Sequence, residues 1–598
     1  MARLLAELTG DSRNIFLLGD GDPRELAADA ARAQLLTPLV KPVEGGALVM
    51  PVSWPALVQL GTELPGIDMQ PRLAEWGKQQ ADYRAAAEAL TPLDFHPHPL
   101  TYSVPAHLTP YPWQVTAGHI LALMGRALLT DEPGTGKTAS AILGICEYAA
   151  VRSLTPAQLG PVVCIVPASV VDAWVDAWAD WAPAFRTIAW RGTVAKRRAL
   201  AGTAHVYVAS YDTARNDGGT KDGALAKLKP AVIVADECHL TKSPTARRTL
   251  AMHRLARSAT VFIGLSGTPI AHNVGDLHPV LQHISPNAWP SKERWIDRYC
   301  MSIQGDYSSR IIGINKATED EFRLTLLGQH RRVAKADVLS TLPPKVYSIR
   351  SIPIPPAYRT TYDEFEADML AQLPDGQEVS VFDALSQLSI LSKLACASAD
   401  VEITWGPEVD ENTGEPKRHI HLELKQPSWK VDALLEILAE RETESVVVFA
   451  PSKQLVMLAG AAAEKAGRRV GYVVGGQTPA ERTGTIKRFQ AGDLDVICAT
   501  TGAGGVGITL TAARCVVFLQ RPWSIVESLQ AEDRCHRIGS EIHDSIDIID
   551  VLAQNTVESR VRSVIREKAG QLADVVQDPR ILAEILGGKN VTTERKVS

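Results

Sequence analysis

RALLTDEPGTGKTASAILGICEYAA, residues 126–150, decides how the rest of this chain is read. A short apolar run ends in a turn carrying Gly134, Thr135 and Gly136, and an alanine-rich helical stretch comes directly after it. Strand, glycine-bearing turn and helix in that order are the context of a phosphate-binding loop. The two glycines permit backbone angles that aim N–H groups at an anion, at the positive end of the following helix. Lys137 can place its charge on the β/γ-phosphates of a nucleotide, and Thr138 can ligate Mg²⁺ through its hydroxyl. One position is out of pattern. The spacing G-x-x-x-x-G-K-[ST] asks for a glycine where this chain has Asp131.

A second stretch bears on the same chemistry. In PAVIVADECHLTKSPTARR, residues 230–248, Asp236 and Glu237 stand at the end of an apolar strand about a hundred residues after the loop. Adjacent carboxylates in that position suit hydrolysis: Asp236 holds Mg²⁺, largely through its water shell, and Glu237 orients the attacking water. Around these two stretches, GPVVCIVP, AHVYVAS, AVIVADE and TVFIGLSG are short β-branched runs ending in turn residues. Helical stretches separate them, which is the rhythm of a parallel sheet covered by helices. The rhythm lapses between about 285 and 430. It resumes in ESVVVFAP, RRVGYVVGG, LDVICATTG, CVVFLQRP and DSIDIIDVLA.

The three motifs DEPGTGKT (131–138), DECH (236–239) and LSGTPI (265–270), in that order, resemble motifs I, II and III of the superfamily 2 helicases. Motif I of that group reads D-E-x-G-x-G-K-T, so the resemblance makes Asp131 regular and the loop an ATP site. Residues 500–540, TTGAGGVGITLTAARCVVFLQRPWSIVESLQAEDRCHRIGS, resemble motifs V and VI of the SNF2 family of DNA translocases. Gln530, Asp533, Arg534, His536 and Arg537 match Q-A-x-D-R-x-H-R-I-G position by position. Arg534 and Arg537, three apart, share a face if the segment is helical, and by resemblance they stabilise charge on the γ-phosphate. YPWQVTAGHIL resembles the Q motif, which implies Gln114 as the adenine reader, with Trp113 in place of Tyr or Phe. CIVPASVVDAW resembles motif Ia, which turns Ser169 toward a DNA backbone. VVVFAPSK resembles motif IV, with Ser452 and Lys453, and GGQTPAERTGTIKRF the pattern after it, beginning Gly475-Gly476. With Thr500 and Thr501 of motif V, these are the DNA-contact residues that the resemblance implies. Gly505 and Gln530 fall to the nucleotide side.

RRVAKADVLSTLPPK resembles the family's segment between the lobes, and the Q-A-E-D-R spelling resembles the distal branch of fork-remodelling, strand-annealing enzymes. Two positions depart from the pattern: Gly502 stands where Arg or Lys is common, and Ser540 where Gln follows R-I-G. The resemblance covers about 105 to 575.

The expected architecture is therefore α/β. Two RecA-like lobes occupy 96–285 and 431–575, a helical insertion and linker 286–430, a small α+β module 1–95 and a polar tail 576–598. The module is acidic, with eight Lys/Arg against thirteen Asp/Glu. It has the character of a regulator of the lobes, a partner-binding domain, or a DNA binder through a restricted basic strip. Composition sets further bounds. A chain of 598 residues exceeds one hydrophobic core, and a net charge of −6 neither announces nor excludes a locally basic groove. Eight scattered cysteines without a C-x-x-C pair point to reduced thiols and a cytoplasmic setting, nucleoid-associated or in a host cytoplasm for a bacterial or viral source. No signal peptide or membrane-spanning run is evident.

Three other features invite a sharper reading than they carry. Trp174, Trp178 and Trp181 at helical spacing favour core packing over base stacking. Arg191, Lys196, Arg197 and Arg198 fit a phosphate-tracking patch and a solvated face equally. His419 and His421 share a strand face without a third metal ligand nearby. The expected function is an ATP- and Mg²⁺-dependent translocase on duplex or forked DNA. Its rivals are a strand-separating helicase on DNA or RNA, and an ATP-driven displacer of bound protein that grips its target through residues 1–95.

Overall fold

The computed structural model describes residues 3–11, 13–20, 41–42, 48–64, 66–90, 98–267, 274–286, 288–289, 291–304, 309–339, 341–371, 389–409, 416–504, 508–522 and 525–558. The chain divides into two compact units, Met1–Ser340 and Thr341–Ser598.

The first unit is built on a seven-stranded sheet. Its strands are β6 (Arg126–Leu129), β7 (Val162–Val166), β8 (Thr187–Ala189), β9 (Val206–Ser210), β10 (Val232–Asp236), β11 (Val261–Leu265) and β14 (His330–Arg331). They lie in the order β14-β6-β11-β10-β7-β9-β8, and every pairing is parallel. The central strands β7 and β11 are buried at every residue, which is why they read as unbroken apolar runs and not as alternation.

The N-terminal residues form a second sheet in the same unit, ordered β3-β4-β2-β1-β5, from β1 (Arg3–Leu8), β2 (Asn14–Asp20), β3 (Lys41–Pro42), β4 (Leu48–Pro51) and β5 (Asp68–Met69). Ile15, Leu17, Met50, Leu60 and Leu73 close its core with the helices Trp54–Glu63 and Pro71–Ala89. The helical stretch expected at PRELAADAARAQLL lies outside the described residues. Buried polar contacts join the module to residues 298–328. Gln59 Nε2 donates to the Tyr299 hydroxyl (3.0 Å), which donates to Glu321 Oε1 (2.6 Å), and Arg298 grips Glu321 through Nε and Nη2 (2.8 and 2.5 Å). The Trp54 indole N–H donates to the Leu324 carbonyl at 2.8 Å. Gly328, at φ +70°, passes so close that a Cβ there would stand 2.9 Å from the Arg84 carbonyl oxygen. Two residues later the same chain enters β14.

The second unit carries a six-stranded parallel sheet ordered β15-β22-β21-β18-β20-β19, from β15 (Lys345–Ile352), β18 (Val446–Ala450), β19 (Val470–Val473), β20 (Val496–Thr500), β21 (Cys515–Phe518) and β22 (Ile546–Ala553). The stretch 286–430, expected as one helical insertion, is divided. Its first part contains helices Lys292–Tyr299 and Glu319–Leu326, the hairpin β12 (Cys300–Gln304)–β13 (Ser309–Ile314) and β14, all in the first unit. Its second part supplies β15, the helix Pro356–Ala371 and a long antiparallel ribbon, β16 (Ser398–Val409) with β17 (Pro416–Lys425), in the second unit. The ribbon arises from period-two patterning: Val401 and Ile403 pair with Leu422 and Ile420 on one face, Glu402 and Thr404 with His421 and His419 on the other. The tail 576–598 and residues 559–575 lie outside the described residues.

Candidate nucleotide site and nucleic-acid edge

The loop after β6 adopts the geometry that its glycines allow. Gly134 and Gly136 have φ of +92° and +84°, and Gly136 caps the helix Lys137–Ala150 without a side-chain acceptor. The first-turn N–H groups of that helix, with Thr138 in the same turn, are therefore presented to an incoming anion. Lys137 Nζ donates to the carbonyls of Asp131 (2.7 Å) and Glu132 (3.2 Å), folded over the cradle. Beneath the loop, Gln114 and Trp113 are buried. Trp113 Nε1 donates to the Thr135 carbonyl at 2.9 Å, and Gln114 Nε2 lies 3.4 and 3.5 Å from the Thr135 and Gly136 carbonyls. Gln114 Oε1 accepts from the Tyr111 N–H at 3.0 Å. The amide expected to read adenine is thus engaged in bracing the loop. A Cβ at Gly136 would stand 2.2 Å from Gln114 Nε2, so no other residue fits there without displacing it.

β14 shows how the loop is shaped with Asp131 in the glycine position. Thr130 and Glu132 donate their N–H groups to the Arg331 and Val333 carbonyls (2.8 and 3.0 Å), extending the β6 pairing into the loop. Arg332 donates to the Thr130 carbonyl (3.1 Å) and to Glu132 Oε1 (3.3 Å), while the Lys335 N–H caps Glu132 Oε2 (2.8 Å). A strand two hundred residues downstream does the shaping that a glycine does elsewhere. Asp131 itself is fully buried, and Arg331 approaches no nearer than 3.9 Å. Burial pushes the Asp131 carboxyl up and the Arg331 guanidinium down, each toward its neutral form.

Asp236 and Glu237 stand at the carboxyl end of β10, separated from the loop by β11. Two donors fix the Asp236 carboxylate: the Trp174 indole N–H on Oδ2 (2.9 Å) and the Glu237 N–H on Oδ1 (3.0 Å). Burial, and then the charge of Glu237, pushes the Asp236 carboxyl up to about 6. Glu237 has φ +52°, a left-handed conformation that a side chain adopts at a cost and that recurs at active sites. His239 Nδ1 shares a hydrogen bond with Ser266 Oγ at 2.9 Å, which ties the DECH segment to the first residues after β11. Burial lowers this imidazole to about 4, so it is neutral at physiological pH. Residues 268–273, which include the end of LSGTPI, lie outside the described residues. The donor set of two crowded carboxylates and a threonine hydroxyl, all hard oxygens beside an anion cradle, fits Mg²⁺ with nucleotide phosphates.

Trp174 is what sequence reasoning missed. Its spacing with Trp178 and Trp181 predicts core packing, and both Trp174 and Trp178 are buried on the helix Val171–Trp181. Only the location of Asp236, across the sheet, shows that one of these indoles also serves a carboxylate.

In the second unit, Arg534 and Arg537 come after the helix Ile525–Glu532 and do not lie on it. At the helix end Glu532 and Asp533 enter buried ion pairs: Lys345 Nζ reaches both (3.2 and 3.3 Å), and Arg521 Nη1 reaches Glu532 (2.7 Å). Arg534 and Cys535 then donate to carbonyls three residues back, a tighter turn that still keeps positions three apart on one side. Arg537 donates to the Ile508 carbonyl at 3.3 Å, and burial with the charge of Arg534 lowers it to about 10. Arg482 is pushed down by the same two causes, so a third guanidinium, which the sequence did not single out, shares this field. Gln530 is buried beside them in sequence, and Gly505 lies outside the described residues.

The residues expected to face DNA stand at the carboxyl ends of strands. Ser169 is exposed just beyond β7. Ser452 caps the helix Lys453–Lys465 after β18, Gly475 and Gly476 come after β19, and Thr500 ends β20; these three strands are neighbours. Lys453, Gly475 and Gly476 line one open concavity of about 670 Å³ with Gln477, Thr485 and Arg488. Thr501 is turned inward, its hydroxyl donating to Glu527 at 2.5 Å. The basic cluster 191–198 is partly consumed. Arg197 is locked to Asp217 through Nε and Nη2 (2.6 and 2.9 Å), and Arg191 pairs with Asp172 (2.9 Å). Among the described residues no group of three or more His, Cys, Asp and Glu could hold a metal ion, and no helix is long and apolar enough to cross a membrane.

Two families match this chain: the SNF2-related domain over residues 121–399 and the helicase conserved C-terminal domain over 429–539. The chain belongs to the SNF2 family. Among curated proteins it is 24% identical over 584 residues to the TATA-binding protein-associated factor mot1 of Aspergillus fumigatus, covering 88% of this chain and 30% of that one. It is 24% identical to the nuclear protein STH1/NPS1 of Saccharomyces cerevisiae (75% and 33% covered) and 25% identical to an uncharacterized ATP-dependent helicase of Mycoplasma genitalium (74% and 39%). The chain thus spans about a third of the length of these relatives. A solved structure, the Sulfolobus solfataricus SWI2/SNF2 ATPase core in complex with dsDNA, aligns with 80% of this chain and 98% of its own at 20% identity and a TM-score of 0.36.

Proposed function

We propose that this chain is an ATP-driven translocase on duplex DNA that remodels branched DNA or DNA–protein complexes. The observation that carries the reading is the convergence of Lys137, Thr138, Asp236 and Glu237 at one edge of a parallel sheet, in a chain of the SNF2 family. Open α/β sheets bind ligands outside the carboxyl ends of their strands. In this reading the N–H groups at the start of helix Lys137–Ala150 bind the phosphates, and Lys137 exchanges its carbonyl partners for phosphate oxygens. Thr138 and Asp236 would hold Mg²⁺, which when bound offsets charge on the β- and γ-phosphates. Glu237 orients the attacking water and takes its proton. Arg534 and Arg537 stabilise charge on the γ-phosphate. Ser169, Ser452, Lys453, Gly475, Gly476 and Thr500 contact DNA phosphates, so binding is sequence-independent and weakens with salt.

The test is ATPase rate against no nucleic acid, single-stranded DNA, duplex DNA, forked DNA and RNA. Strong stimulation by duplex, and more by fork, supports the translocase. Stimulation mainly by single strands or RNA overturns it in favour of a strand-separating helicase.

A further inference from the structure

The basic cluster that the sequence brings forward is partly spent on ion pairs, and a second one is not. The helix Arg247–Ser258, RRTLAMHRLARS, carries four arginines and no acidic residue. Its packed side is Ala251, Met252, Leu255 and Ala256, all buried. Arg247, Arg254 and Arg257 are exposed and, with Leu250, which is 54% exposed, fall within ~100° of the helix circumference. Arg247 and Arg257 stand ~15 Å apart along the axis. Among the described residues none of these three guanidiniums is ion-paired, whereas neighbouring Arg215 has Asp212 and Arg197 has Asp217.

The charges oppose the stability of the helix that bears them. Arg247 and Arg248 occupy its first turn, at the positive end of the helix dipole, behind an Ala246 cap that supplies no side-chain acceptor. Arg254 and Arg257, three apart, repel each other. The chain as a whole has six more acidic than basic side chains, yet places none here. An unneutralised cationic stripe of fixed spacing is complementary in charge to a polyanion. Single strands are gripped on aromatic stacking platforms, and this stripe has no aromatic residue, so a rigid phosphate array suits it better.

We propose that Arg247, Arg254 and Arg257 form a contact surface for the phosphate backbone of duplex DNA, on the flank of the first sheet and additional to the strand-end residues. The proposal rests on the reading of this chain as a duplex-DNA translocase. The experiment uses the full chain and a fluorescein-labelled duplex, with Kd measured by anisotropy across about 50–200 mM salt. Three phosphate contacts contribute a slope of ~2.7 in log K against log salt, so across that range the wild type loses roughly forty-fold more affinity than the triple variant R247Q/R254Q/R257Q. The lysine triple variant, R247K/R254K/R257K, keeps the wild-type slope, and neither variant falls below the wild-type thermal unfolding midpoint. A glutamine variant with wild-type slope and Kd overturns this surface and leaves the translocase reading standing. A lysine variant that falls as far as the glutamine one also overturns it, since charge then does not carry the contact. A wild-type protein that fails to bind duplex overturns both.

Discussion

Trp174→Phe is the most searching test of the Asp236 geometry. The substitution keeps an aromatic ring in a site only 2% exposed and removes the rest of the indole, including the N–H that donates to Asp236 Oδ2 at 2.9 Å. A hydrogen bond to a charged group contributes about 1.5–3 kcal/mol. The Glu237 N–H remains on Oδ1, so the carboxylate keeps one of its two anchors and the lower end applies, a roughly tenfold loss in kcat/KM. A carboxylate free to rotate is also a poorer metal partner, and the half-saturating Mg²⁺ concentration should rise alongside. Steady-state ATPase with Mg²⁺ titrated at fixed ATP reads both. Trp178→Phe is the matched control: it lies four residues on along the same helix, equally buried, but its ring packs on Phe185 at 5.3 Å and its N–H is directed at the Cys164 sulfur and at no carboxylate. Unchanged kcat/KM and Mg²⁺ dependence in Trp174→Phe would refute the anchoring role. Equal losses in the two variants would assign the effect to packing.

The same geometry sets other outcomes. Lys137→Ala and Glu237→Gln should each reduce ATP turnover to background, read by phosphate release. Arg537→Ala should retain ATP binding, measured with a fluorescent analogue, while DNA-stimulated hydrolysis falls by at least ~10³-fold. Arg197→Ala should cost about 1–3 kcal/mol in urea unfolding, because Asp217 loses its guanidinium and keeps only the Trp190 indole N–H, while DNA affinity stays at the wild-type value. In Mg²⁺-free buffer the raised Asp236 carboxyl means the folded state holds a proton that the unfolded state releases between about pH 4 and 6. Stability of the wild type therefore drops as pH rises through that window. Asp236→Asn should melt higher than wild type above pH 6, with the difference closing toward pH 4.

The parallel sheets were legible because buried strands spell themselves as unbroken apolar runs: VVCIV, VIVAD and VVVFA are strands in both readings. The loop, with Lys137 and Asp236–Glu237 at strand ends, was legible for the same reason, since its chemistry is local to a few consecutive residues. What escaped was carried by residues distant in sequence. β14 is two residues long, invisible to any periodicity, and matters because it lies beside β6. The β16–β17 ribbon alternates, but its period was lost in a stretch rich in turn formers and charges. Glu532, at the end of the helix before Arg534, pairs with Lys345, almost two hundred residues earlier. The indole of Trp174 reads as core because it is core; that it also donates to Asp236 is a fact of the tertiary structure alone.

Gly328 marks a junction. The polypeptide from Tyr299 to Arg331 first receives the N-terminal module, through Tyr299 and Leu324, and then, just past the glycine, lies down beside the ATP loop. Module and loop are thus rungs on one short ladder. Cutting residues 1–90 away would strip the Tyr299 hydroxyl and the Leu324 carbonyl of their partners Gln59 and Trp54, on the segment that leads into β14. The module is then better described as a keystone than as an appendage. Exchanging it for a foreign domain would remove these contacts even if every motif residue were left untouched.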